Sequence, residues 1–155
     1  MTGRWAIRAA ALALAAMVLS VSGVTLANDG EPGCTVAKLD GLYVFAATGF
    51  TIPTPDAALP KAIVEWIHFN GDGTLDVPGA TLSLNGVIVQ IPAGGTGSYT
   101  VADLTPPDGG CAGTLSFTNG PKFDLFIPAK GARTIWLIQT DANNVFQGTA
   151  TKVSH

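Results

Sequence analysis

The chain has 155 residues, of which 47% are hydrophobic and only 12% charged, with a formal net charge of −3. That length suits one domain with a sizeable core. The few, scattered Lys and Arg residues exclude a protein that tracks nucleic-acid phosphates or docks on an anionic membrane. The first element is an export signal over residues 1–27. Arg4 and Arg8 form its positive start, an apolar run follows from Ala9, and Thr25-Leu26-Ala27 supplies the small residues of a cleavage site. The run from Ala9 to Val24 is interrupted by Ser20, Ser22 and Gly23, and falls short of the roughly 20 apolar residues a spanning helix needs. Asn28 stands where a lipid-anchored protein would carry cysteine. The expected mature protein is a single domain over residues 28–155, secreted or periplasmic. Arg4 and Arg8 leave with the signal, so the formal charge goes from −3 to −5.

Cys34 and Cys111 both lie after the cleavage point, and an even count in an oxidising compartment reads as one disulfide. A redox pair would need the C-x-x-C spacing, which is missing. Between and beyond the cysteines there is almost no helical periodicity. Short β-branched and aromatic runs are cut instead by Gly, Pro, Asn and Asp. Strands are predicted at Gly41–Thr48, Lys61–Phe69, Thr74–Val77, Thr81–Leu84, Val87–Ile91, Ser98–Ala102, Gly113–Phe117, Lys122–Ile127, Thr134–Thr140 and Val145–Thr151. Asn70-Gly71-Asp72-Gly73 and Asn85-Gly86 are strong hairpin signals. The stretch from Gly49 to Pro60 holds Pro53, Pro55 and Pro60, and predicts an extended surface loop or lid.

Short loops between successive strands favour antiparallel neighbours. The expected fold is an all-β, antiparallel, up-and-down barrel of about eight strands, with a β-sandwich as the alternative. In Lys61–Phe69 one face carries Ile63, Glu65, Ile67 and Phe69, and the other Val64, Trp66 and His68. If the first face is the lumen, then Trp66, Phe126, Trp136 and Ile138 fall outside. They would mark either a subunit interface, a surface covered by the long loop, or ordinary solitary aromatics.

Several motifs occur together: Gly41-Leu42-Tyr43 after Cys34, Ile67-His68-Phe69-Asn70-Gly71-Asp72-Gly73, Leu84-Asn85-Gly86, Gly97-Ser98-Tyr99-Thr100-Val101, Cys111-Ala112-Gly113-Thr114-Leu115, and Ile138-Gln139-Thr140-Asp141. In order and spacing the chain resembles a widespread group of small, exported, uncharacterised bacterial proteins. These carry one cysteine before a G-x-Y strand and a second in an Asp-Cys-Thr-Gly-Thr motif. Gly110 and Ala112 depart from that last motif. The resemblance implies a small barrel akin to calycin or allene oxide cyclase barrels. By fold analogy alone it also implies apolar ligands.

Candidate chemistry is sparse. From His68 to Gly79, Asn70, Asp72, Gly73 and Asp76 match part of a calcium-loop pattern, but His68 and Gly79 occupy positions that need carboxylates, and a hairpin explains the run. His68 is the lone internal histidine, and Ser98 lies outside any nucleophile-elbow motif. No catalytic residue, metal site or cofactor is therefore indicated. Glu65 is the most informative side chain: on a lumen face its burial would raise its pKa and make it an acid, a base or a ligand anchor. The expected lumen residues are Glu65, Ile67, Phe69, Leu125, Ile135 and Leu137, joined by Tyr43 or Val44.

Three functions compete. The favoured one is binding of a small apolar or amphipathic ligand in the lumen. The second is a side-chain-filled barrel that self-associates through Trp66 and Trp136. The third is an isomerase or cyclase of the allene oxide cyclase type assisted by Glu65, although enzyme activity is the less expected outcome. Expected partners are accordingly a small apolar ligand or further copies of the chain, with neither nucleic acid nor membrane after signal cleavage. A void of a few hundred Å³ would separate the first reading from the second.

Overall fold

The computed structural model describes residues 33–104 and 110–154. The export signal read from residues 1–27 lies outside the described residues. A short 3-10 turn, Val36–Leu39, precedes ten strands: β1 Gly41–Thr54, β2 Ala57–Phe69, β3 Thr74–Leu84, β4 Val87–Ile91, β5 Gly95–Tyr99, β6 Ala102–Asp103, β7 Cys111–Phe117, β8 Lys122–Ile127, β9 Thr134–Gln139 and β10 Asn144–Ser154. Among the described residues no helix is long and apolar enough to cross a membrane.

Every strand pair is antiparallel. The order β2-β1-β10-β9-β8-β7-β5-β3 closes on itself, because β3 also pairs with β2 from Lys61↔Leu84 to Phe69↔Leu75. Eight strands therefore form a closed barrel, as the short loops predict. β4 and β6 lie off the ring, on β3 and β7 respectively. One edge of β3 serves two partners: Thr74–Val77 pairs with β5, and Ala80–Leu84 with β4. The β3–β4 hairpin consequently rises past the barrel rim. Its turn is the predicted Asn85-Gly86, with φ of 49° and 84°, the left-handed values that a two-residue hairpin requires.

Three sequence expectations need correction. The stretch from Gly49 to Pro60 is not a loop. It is the upper half of a long β1–β2 hairpin, paired through Phe50↔Pro60 and Thr51↔Leu59 and turning at Pro55-Asp56. Its prolines sit where no donor is missed. The Pro60 carbonyl accepts from Asn85 N–H at 2.8 Å, so its nitrogen faces the β3–β4 turn rather than β1. Pro53 lies beyond the last β10 pair, Thr51↔Asn144, and Pro55 opens the turn, a position for which its fixed φ is suited. Next, Thr74–Val77 and Thr81–Leu84 are one strand. Pro78 falls at a register shift against β2 between Trp66 and His68, and a bulge tolerates proline. Finally, the strand predicted over Ser98–Ala102 is displaced and split: β5 begins at Gly95 and ends at Tyr99, and Ala102 opens β6. Gly95 and Gly97 belong to β5, and a Cβ on Gly97 would strike the Ser116 carbonyl oxygen of β7. Glycine lets these two strands approach.

The barrel has a closed end and an open end. At the closed end Leu39 is fully buried beneath the sheet, and the Tyr99 hydroxyl donates to the Val36 carbonyl at 3.0 Å while accepting from Gly71 N–H at 3.1 Å. Tyr43, Phe69 and Tyr99 stack edge to face, with centroids 5.1 and 4.9 Å apart. The Cys34–Cys111 disulfide fastens this plug to the start of β7 across a sequence separation of 77 residues. Replacing both cysteines with alanine should lower unfolding free energy by about 4 kcal/mol on the chain-entropy model. Urea unfolding of the variant against the oxidised parent measures the difference.

Candidate functional site

Alternation along β2 decides which side chains reach the interior. Lys61, Ile63, Glu65, Ile67 and Phe69 point inward, whereas Val64 and Trp66 are 54% and 44% exposed. The candidate lumen face is therefore the true one. Of the residues expected there, Ile67, Phe69, Leu125, Ile135 and Leu137 are all buried in the filled core, together with Tyr43. Val44 takes the other phase, where it is half-buried. Glu65 alone of the expected set lines open space.

That space is a cavity of about 620 Å³ in the open half of the barrel. Each inward position two residues closer to the rim belongs to it. Phe123 lies above Leu125, and Gln139 above Leu137, while Glu65 lies above Ile67. Phe45, Phe117 and Phe146 complete an aromatic wall with Phe123. Phe45 and Phe123 meet edge to face at 5.7 Å, as do Phe117 and Phe123 at 6.1 Å. Val77, Leu82 and Ile91 form the opposite side, so the β3–β4 hairpin builds part of the mouth.

Two charged groups mark the rim. The Lys61 ammonium donates to Gln139 Oε1 at 2.7 Å and Asn144 Oδ1 at 2.9 Å, and lies 4.1 Å from the centroid of the Phe146 ring. Burial lowers its pKa, and Asp141 partly opposes that shift. The Asp141 carboxylate accepts from Lys122 N–H and Gln139 Nε2, both at 2.8 Å, which holds its pKa below the usual value. Lys61 and Asp141 are thus engaged by protein partners.

Glu65 is different. It is only 7% exposed, and its cross-strand neighbours are Phe45 on β1 and Ala80 on β3. Burial raises its pKa from 4.5 to about 7, with no partner charge or hydrogen bond among the described residues to offset it. Every fully enclosed side-chain polar atom among the described residues has a hydrogen-bond partner. An unpartnered Glu65 must therefore turn its carboxyl oxygens to the cavity. The site as a whole is an apolar, aromatic cleft with one unsatisfied acid in its wall.

The Asn70–Gly73 turn lies at the other end and uses its polar groups internally. Asp72 accepts from the Thr74 N–H and hydroxyl, and Asn70 donates to Thr74 and Asp76. Among the described residues no three His, Cys, Asp or Glu side chains are grouped to ligate a metal. The cavity residues missed from sequence include Lys61, Phe45, Phe117, Phe123, Phe146, Leu82 and Ile91. Lys61, Phe45 and Phe123 share the inward phase of residues already expected, but alternation does not report height along the barrel axis; the others lie on strands from which no lumen residue was expected. No protein-family model, curated protein or solved structure matches this chain.

Glu65 also sets a pH dependence. Its folded pKa exceeds the unfolded one, so the native state holds the proton more tightly. Stability is unaffected by this group below about pH 4.5, falls as pH rises towards 7, and then carries the full penalty of a buried charge, on the order of 3 kcal/mol. Glu65→Gln should flatten the decline across this window and stabilise the protein at pH 8. Thermal melts of both forms from pH 4 to pH 8 test this.

Proposed function

We propose that this is an exported barrel protein that binds a small apolar or amphipathic molecule in the open half of its lumen. The observation that carries the reading is the cavity beside Glu65. Its volume of about 620 Å³ falls within the range of small-molecule sites, and its lining combines an aromatic and aliphatic wall with polar residues such as Lys61, Glu65, Gln139 and Asp141. A barrel selected only for stability would fill this half as densely as the plugged half, since unfilled apolar space forfeits packing energy. Export is supported by the signal-like first 27 residues and by the disulfide, which persists in oxidising compartments.

The test is displacement of an environment-sensitive apolar fluorophore, combined with native mass spectrometry of protein from its own host. Ile91→Trp fills the mouth from a partly exposed position and should weaken fluorophore binding by about tenfold or more. Trp136→Ser, on the outer wall, should leave binding unchanged. Equal binding by parent and Ile91→Trp would remove the cavity from consideration.

A second reading has its own observation. Phe126 and Trp136 are cross-strand partners on the outer wall, and with Ile138 they form an exposed apolar group; Trp136 is 56% exposed. Such a patch is suited to association between copies. Light scattering should then show a dimer or larger species that Trp136→Ser dissociates, and a monomer at high concentration would eliminate this reading.

A further inference from the structure

Lumen binding leaves the chemistry of the guest open, and three features of the same cavity narrow it. The first is the state of Glu65. Its side chain is more than nine-tenths buried, it finds no partner among the described residues, and it faces the cavity between Phe45 and Ala80. Burying an acid this way destabilises the fold unless something donates to it. A hydrogen-bond donor, and above all a cation, is the complementary group.

The second feature is the aromatic wall. Phe45, beside Glu65, and Phe117, Phe123 and Phe146 all line the space, and aromatic faces attract cations through their quadrupoles. A carboxylate among several aromatic rings is a recognition environment for an ammonium group. The same rings favour an alkyl or aryl body along the rest of the cleft.

The third feature is the rim. An anionic head would have to use Lys61, yet that ammonium already donates to Gln139 and Asn144 and lies over the Phe146 ring. A carboxylate guest would displace made hydrogen bonds at the rim while its tail passed the unsatisfied acid. An amine guest forms a charge-assisted hydrogen bond at a buried acid that has no partner among the described residues.

We propose that the cavity is selective for a lipophilic amine, its ammonium head donating to the Glu65 carboxylate and its apolar body lying against the phenylalanine wall. This inference rests on the lumen-binding reading. It assigns Glu65 as the group that determines specificity.

Three probes with the same chain test it: octylamine, octanol and octanoate, each used to displace an apolar fluorophore from the purified protein at about pH 8, where Glu65 is ionised. Octylamine should bind about tenfold more tightly than octanol, with octanoate the weakest. Glu65→Gln should reduce the amine-to-octanol affinity ratio from about tenfold to about one, whatever it does to octanol affinity itself. A cooperative thermal melt of the variant reports separately that it is folded. Equal binding of amine and alcohol to the parent, or an amine preference that survives Glu65→Gln, overturns the proposal and leaves lumen binding intact. Tightest binding by octanoate overturns it in favour of a head group at Lys61. If neither fluorophore nor any probe binds, the lumen-binding reading falls and this inference with it.

Discussion

The pairing of β2 with β3 governs the rest of this molecule. Seven other neighbour contacts string eight strands into a sheet, but only this one turns the sheet into a ring. Once the ring is closed, each strand has a single inward phase, and the in–out alternation of the sequence becomes an inside and an outside. β2 shows the effect most directly: Glu65 goes to the interior with Ile63 and Ile67, while Val64 and Trp66 face solvent. Had the sheet stayed open, Glu65 could have tilted towards water, and its carboxyl group would titrate as an ordinary surface acid.

The two halves of the interior follow from what reaches each of them. The plugged half receives Leu39 from the N-terminal turn as well as side chains from the strands, and is packed solid. The open half has no such insertion among the described residues, and one position lining it is a glycine, Gly95, that contributes no side chain. The space that remains is therefore a consequence of local composition at the rim. Within it, Glu65 works against stability, since a neutral or apolar residue would avoid the cost of enclosing an ionisable group. A residue that costs the fold free energy and points into a cavity is better understood through what enters the cavity than through what holds the barrel together.

Much of the architecture is legible in the residues alone. Strand periodicity, the Asn85-Gly86 turn and the even pair of cysteines are local signals, and each describes the real molecule. The lumen phase of β2 is legible too, because the apolar residues Ile63, Ile67 and Phe69 share it with Glu65. What escapes has physical reasons. Proline count argues against a strand between Gly49 and Pro60, but proline is excluded from a sheet only where its missing donor has a partner to disappoint, and that depends on neighbours distant in sequence. The strand start read at Ser98 comes too late because glycine has low strand propensity, whereas Gly97 is needed where β7 passes close by. The division of inward residues between filled core and cavity depends on how far each strand is staggered against the next. Alternation places Leu125 and Phe123 on one face without saying which is the deeper.

The disulfide acquires a different meaning from its location. It ties the N-terminal plug to β7 at one pole, where the tyrosine hydroxyls and stacked rings also concentrate. The opposite pole is made of hairpin tips, Pro55-Asp56, Asn85-Gly86, Thr118–Pro121 and Asp141–Asn143, with no covalent bond among them. Covalent closure is confined to one pole, whereas neighbouring turns at the other are joined by hydrogen bonds, Lys122 N–H to Asp141 and Asn85 N–H to Pro60. The cavity proposed to take a guest therefore lies at the pole that carries no covalent clamp.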